Sequence, residues 1–147
     1  MSLTFAEYPI RLTGSQNVRE HWRARAKRVK KERSTAEVAC QVFLERPKQW
    51  PVTVRLTRIG PRKLDSDNVA GACKATRDGV ADWLRVDDGD ESKVRWEYSQ
   101  CKSAASYAYG VRIELLSKDA LADERARALS TKESEHADVA TWDEVLP

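Results

Sequence analysis

Apolar and polar positions alternate, then recur at helical spacing, then alternate again along this chain, and that order predicts an α+β domain. Tyr8, Ile10 and Leu12 alternate with polar neighbours and predict a first strand ended by Gly14. From about 17 to 45, Trp22, Ala26, Val29, Ala36, Cys40 and Phe43 fall three, four or seven apart, one stripe along a long helix. Val52, Val54 and Leu56 alternate with Thr53, Arg55 and Thr57, so a half-buried strand runs into the Gly60-Pro61 turn. A second helix, capped by Ser66 or Asp67, carries Val69, Ala72, Cys73, Thr76, Val80, Trp83 and Leu84 on one face and Asp67, Gly71, Lys74 and Asp78 on the other. Val94, Trp96 and Tyr98, then Tyr107, Tyr109, Val111, Ile113 and Leu115, predict an antiparallel pair turning near 102–105. The expectation is one small α+β domain over 1–117, with two main helices and a mixed or antiparallel sheet of about four strands. Residues 118–147 are expected to form an acidic tail, helical over 120–129 and otherwise mobile or partner-dependent.

Composition narrows the class. A chain of 147 residues with 41% hydrophobic content buries one ordinary core. No apolar run nears the roughly 18 residues that span a bilayer, and the amino terminus lacks a signal-peptide pattern, so a soluble intracellular protein is expected. Cys40, Cys73 and Cys101 lie far apart, without zinc spacing, and read as reduced thiols. The formal net charge is +3, but it is unevenly divided. Residues 118–147 hold four basic against eight acidic residues, leaving 22 against 15, or +7, on the first 117. Arg19, Arg23, Arg25, Lys27, Arg28, Lys30, Lys31 and Arg33 fall within fifteen residues, opposed only by Glu20 and Glu32. That density of cations on one helix favours contact with backbone phosphates over a plain solvated face. The acidic tail is complementary to it and suggests an intramolecular mask of the basic helix.

The most specific chemistry lies in two acidic clusters, Asp65-Ser66-Asp67-Asn68 and Val86-Asp87-Asp88-Gly89-Asp90, one helix apart. Alone, the first reads as a helix cap and the second as a turn. Together they gather five aspartates around one short amphipathic segment, the oxygen-rich composition that magnesium takes. Neither cluster has the glycine and bidentate glutamate spacing of a calcium loop. A carboxylate-held magnesium polarises a phosphoryl oxygen, lowers the pKa of an attacking water and neutralises the leaving oxygen, which is phosphodiester hydrolysis. Lys74 offers electrostatic stabilisation beside it, or an ordinary surface pair with Asp78. Neither His21 nor His136 is required. Trp83 and Trp96 sit on apolar faces and read as core, and Trp22, on the α-helical stripe, reads as core ahead of a base-stacking role.

The order strand, Asp-x-Asp-Asn, amphipathic helix, Asp-Asp, strand, strand resembles the RusA-type Holliday junction resolvases, over about 51–116 and more loosely over the first strand and the 15–17 loop. The resemblance implies a homodimeric, magnesium-dependent endodeoxyribonuclease, with manganese as a substitute, that resolves four-way DNA junctions by paired symmetrical nicks. It is a family of bacteriophages and prophages, which implies the cytoplasm of a bacterial or phage-infected cell. Asp65, Asp67 and Asp88 match its magnesium ligands, with Asp87 beside the last. The family's catalytic lysine stands three residues after the Asn, which lands on Gly71, whereas Lys74 opens the matching Lys-x-x-x-Asp pattern. Two other readings stay open: a catalytically weak or inactive DNA-binding module on the same scaffold, and a nuclease for flaps or forks.

Overall fold

In the computed structural model, which describes residues 5–13, 19–105 and 108–145, the elements run β1 (Phe5–Tyr8), α1 (Trp22–Phe43), β2 (Val52–Gly60), α2 (Ser66–Ala72), α3 (Lys74–Leu84), β3 (Val94–Lys102), β4 (Gly110–Leu116) and α4 (Lys118–Val145). The chain divides into two compact units, 1–116 and 117–147. The first is an α+β domain on a mixed sheet of order β1-β4-β2-β3. The second is built on α4, which the Ser117 hydroxyl opens by accepting a hydrogen bond from the Ala120 N–H at 3.1 Å. Helix was expected only over 120–129, yet α4 runs to Val145. No glycine or proline interrupts 118–146, and alanines recur through its first turns.

Burial on both faces marks β2 as the central strand, with Val52, Thr53, Val54, Leu56, Thr57 and Arg58 all buried. It pairs in parallel with β3, Val52 opposite Val94 through Gly60 opposite Lys102. On its other edge it pairs antiparallel with β4, Leu56 opposite Ile113. The expected β3–β4 hairpin is therefore corrected: β2 lies between them. A strand returning through a helical crossover, here α2 and α3, adds in parallel beside its predecessor, and the turn after β3 is tied across the end of β2 by the Ser103 N–H bond to the Gly60 carbonyl at 3.0 Å. Tyr107 lies outside the described residues.

The first strand lies earlier than expected: β1 is Phe5–Tyr8 and shares only Tyr8 with the alternating run Tyr8, Ile10 and Leu12, which is thereby corrected. Its ladder with β4 stops at Tyr8 opposite Val111, because Pro9 has no N–H to continue it. The alternation still holds in burial, and Leu12 reaches the core without pairing.

The expected single helix after β2 bends at Cys73, where φ −85° and ψ −2° separate α2 from α3. Gly71, two residues earlier, weakens the turn that would otherwise carry straight through. The cap is Asp65, one position before Ser66 and two before Asp67, the expected candidates, and Asp67 falls in the first turn. The predicted apolar face is buried throughout, Val69, Ala72, Cys73, Thr76, Val80, Trp83 and Leu84 included. It meets Val54, Leu56, Val111 and Ile113 of the sheet in one core, each fully buried side chain of this size stabilising the fold by about 1.5–3 kcal/mol. Trp96 lies at the edge of that core, only partly buried.

Helix α1 departs furthest from its pattern. Its buried residues are Glu32, Ala36, Ala39 and Cys40, while Trp22 is 68% and Phe43 60% exposed. Only the middle of the helix crosses α3, at a contact so close that a Cβ on Gly79 would collide with the Arg33 carbonyl oxygen. The expectation that Trp22 packs in the core is thereby corrected. Cys40 and Cys73 are buried free thiols and Cys101 an exposed one; burial pushes the first two up to about 12.

Candidate active site

Parallel pairing of β2 and β3 puts alternate residues of β3 on the helix-bearing face, and three of them, Trp96, Tyr98 and Gln100, hold the acidic segments. The Gln100 amide grips the strand-to-helix loop twice, accepting from the Leu64 N–H at 2.9 Å and donating to the Leu64 carbonyl at 2.7 Å. From the neighbouring strand, buried Arg58 donates to the Arg62 carbonyl at 2.8 Å. These bonds fix the entry to α2, so that Asp65 stands at its N-cap with no side-chain capping bond and Asp67 two residues on in the first turn, both exposed. A carboxylate at that place meets the positive end of the helix.

The second cluster is held from the other end of the same strand face. The Trp96 indole N–H donates to the Asp88 carbonyl at 2.8 Å. Arg77 of α3 donates to that carbonyl at 2.9 Å and to the Tyr98 hydroxyl at 3.0 Å. Its Nε lies 3.1 Å from Asp88 Oδ2, and its guanidinium 5.1 Å from the Trp96 ring. Trp96 and Gln100 are four residues apart, roughly 13 Å along a strand. Arg77 sits between them, beside Tyr98, in the interval that separates the two groups of aspartates.

Asp87 and Asp90 behave as turn residues. Asp87 Oδ1 accepts from the Gly89 N–H at 3.0 Å. Asp90 Oδ1 accepts from the Ser92 hydroxyl at 2.6 Å and its N–H at 3.0 Å, and these bonds hold the Asp90 carboxyl below the usual range. The loop starts from Arg85, in the left-handed region at φ 59°. Asp65, Asp67 and Asp88 are hard oxygen donors of the kind magnesium takes. Among the described residues no three carboxylate, imidazole or thiol groups are gathered closely enough to hold an ion, and Asp88 carries Arg77 as its counterion.

Lys74 opens α3 and is exposed. With Gly71 and Asp78 it lines a cavity of about 420 Å³ between α1 and the α2–α3 bend, in which none of Asp65, Asp67, Asp87 and Asp88 takes part.

The cations of α1 divide into committed and exposed groups. Arg28 is clasped by Glu20 at 3.0 Å and by Glu32 at 3.2 Å, Arg33 by Asp82 at 2.6 Å, and Arg23 lies over the Trp22 ring at 5.0 Å. Glu32 is only 3% exposed; burial raises its carboxyl pKa against the pull of Arg28. Arg25, Lys27, Lys30 and Lys31 are exposed and make no ion pair among the described residues, and Arg19 is exposed just before the helix. Sequence spacing had no way to reveal Gln100 and Arg77, because they act on loops 36 and 11 residues away, and Arg58, which grips a loop only four residues on, carried no pattern of its own. Only the alternation of Trp96, Tyr98 and Gln100 hinted that one strand face would supply three polar tips.

No described helix is long and apolar enough to cross a membrane. No family model, curated protein or solved structure matches the chain.

Proposed function

We propose that this chain is a magnesium-dependent endodeoxyribonuclease acting on branched DNA, with paired nicking of four-way junctions by a homodimer as its reaction. The observation that carries the reading is the shared anchoring of both aspartate groups on one face of β3, with Asp65 and Asp67 left exposed at a helix N-terminus. Asp65, Asp67 and Asp88 would hold the ion, Asp87 standing beside the last, once the two groups, which are not gathered in this structure, are drawn together and Arg77 is displaced from Asp88. Magnesium supplies Lewis acidity toward the phosphoryl group and a more acidic water. The chain itself orients the donors through Gln100, Trp96 and Arg77, and the exposed cations of α1 bind backbone phosphates, which gives affinity and position rather than base readout. A two-fold symmetric pair of such sites matches the pseudo-symmetry of a four-way junction.

One observation favours a second reading, a DNA-binding module with little or no turnover. Asp88 is neutralised by Arg77, and Lys74 lines the α1 cavity instead of standing with the aspartates. The two readings separate in a cleavage assay on a synthetic four-way junction and its linear duplex control, in magnesium and in EDTA, with the native chain and Asp67→Asn. Symmetrical magnesium-dependent nicks in the junction, lost in the variant, are expected. Tight junction binding without nicks in magnesium or manganese would overturn the nuclease in favour of the binding module. Nicking confined to flaps or forks would retain the chemistry and change the substrate.

A further inference from the structure

Trp22 is a large apolar side chain left 68% exposed at the very start of the most cationic helix of the chain. Its indole is not loose: His21 stacks on it at 5.8 Å between ring centres with an interplanar angle of 28°, and Arg23 lies over it at 5.0 Å. It stands on the rim of the cavity of about 420 Å³ between α1 and the α2–α3 bend, whose walls include Arg25, Glu32, Gly71, Lys74 and Asp78. A volume in the range of small-molecule pockets, roughly 300–1,000 Å³, is ample for one planar heterocycle.

We propose that this cavity receives an unpaired nucleobase of branched DNA, stacked against Trp22; the inference rests on the DNA reading above and names the part of the substrate recognised. Three observations converge on a base and not a phosphate. An exposed indole already held flat by neighbours offers a stacking surface at low ordering cost. Arg25 and Lys74 line the same cavity and would meet the phosphates flanking an extruded base. Asp78 and Glu32 in the wall repel phosphate but accept hydrogen bonds from the exocyclic amino groups of adenine, cytosine or guanine. Gly71 keeps one side open, since a Cβ there would meet nothing within 4 Å. Base pairs in a linear duplex keep their faces stacked and cannot enter; a branch point exposes them.

The test uses the full chain and a four-way junction with 5-iodouracil at the branch point, in EDTA so that no strand is cut, with the linear duplex as control. Ultraviolet cross-linking is expected to map to Trp22. Trp22→Ala is expected to weaken junction binding about tenfold, within the range that removal of one stacked aromatic costs, while duplex affinity stays unchanged and Trp22→Phe keeps most of the junction affinity. An unchanged thermal midpoint for both variants would exclude misfolding, as the exposure of Trp22 leads one to expect. Equal junction affinity in native chain and Trp22→Ala overturns this inference alone. Failure of the native chain to bind any DNA overturns the DNA reading, and this inference with it.

Discussion

Helices α1 and α3 pack against each other and yet do opposite work. In the 22 residues of α1 only Glu32, Ala36, Ala39 and Cys40 are buried, whereas seven of the 11 residues of α3 are. The shorter helix therefore carries the core and the longer one carries the surface. An amphipathic helix owes its stability to the face it buries, so α1 depends on a few small residues seated on α3, and the rest of its length is free to present charge. Stability and DNA contact should then separate under mutation, helix by helix.

The largest expected effect lies at the crossing itself. In Gly79→Ala the new methyl group meets the Arg33 carbonyl oxygen and lies 2.9 Å from the Ala36 Cβ, and backbone cannot swing aside as a side-chain tip would. The helices must part, at a cost of about 3 kcal/mol, read as a fall of roughly 10 °C in thermal midpoint. Gly71→Ala is the counterpart: in α2, with nothing within 4 Å of the added carbon, it is expected to stabilise by about 0.5–1 kcal/mol by reducing the freedom of the unfolded chain. Equal losses at the two glycines would mean that α1 is not seated on α3 as described.

That crossing also shows what the sequence disclosed and what it withheld. Every residue assigned to the apolar face of α2 and α3 is buried, because Val69, Val80, Trp83 and Leu84 keep to helical spacing, while the small residues Ala75, Gly79 and Ala81, buried as well, were not distinguished. The stripe of α1 was legible only over Ala36 and Cys40; Trp22 and Phe43 obey the same period but are left exposed at the two ends of the helix, and periodicity carries no information on where burial by a partner helix ends. Pairing was harder still. The alternation in β3 and β4 is sound, yet alternation does not reveal which strand lies next to which, and β2 between them is a tertiary outcome. For the candidate site, the aspartates were readable as residue types, while Arg77 on Asp88 and Gln100 on Leu64 depend on packing between distant segments.

A middle-sized effect tests the surface half of the comparison, and it rests on the DNA reading. Arg25→Ala, Lys27→Ala and Lys30→Ala remove exposed cations that make no ion pair among the described residues, so each is expected to move stability by less than about 0.5 kcal/mol. Junction affinity should fall for all sequences alike, with the salt dependence losing about one unit of slope per phosphate contact removed. Binding isotherms from low to moderate salt, set beside melting curves, decide it. A large drop in stability with an unchanged salt slope would reverse the roles assigned to the helix.

The smallest effect comes from the ion pair that ties the two helices beside Gly79. Arg33 Nε lies 2.6 Å from Asp82 Oδ2, but the side chains are 48% and 38% exposed, so water screens the pair and a double-mutant cycle of Arg33→Ala with Asp82→Ala should give a coupling of only about 0.2–1 kcal/mol. Its pH dependence has a definite sign. The Arg33 hydrogen bond holds the Asp82 carboxyl below its usual range, so the folded state binds that proton less readily than the unfolded state does. The coupling is therefore full above the unfolded pKa of about 3.9 and is lost as pH falls through the lower folded value. Added salt should shrink it at neutral pH. A coupling that survives both acid and salt would come from the Arg33 methylenes packed on α3, and the crossing would then be held by shape alone, with Gly79 setting the distance and no charge required.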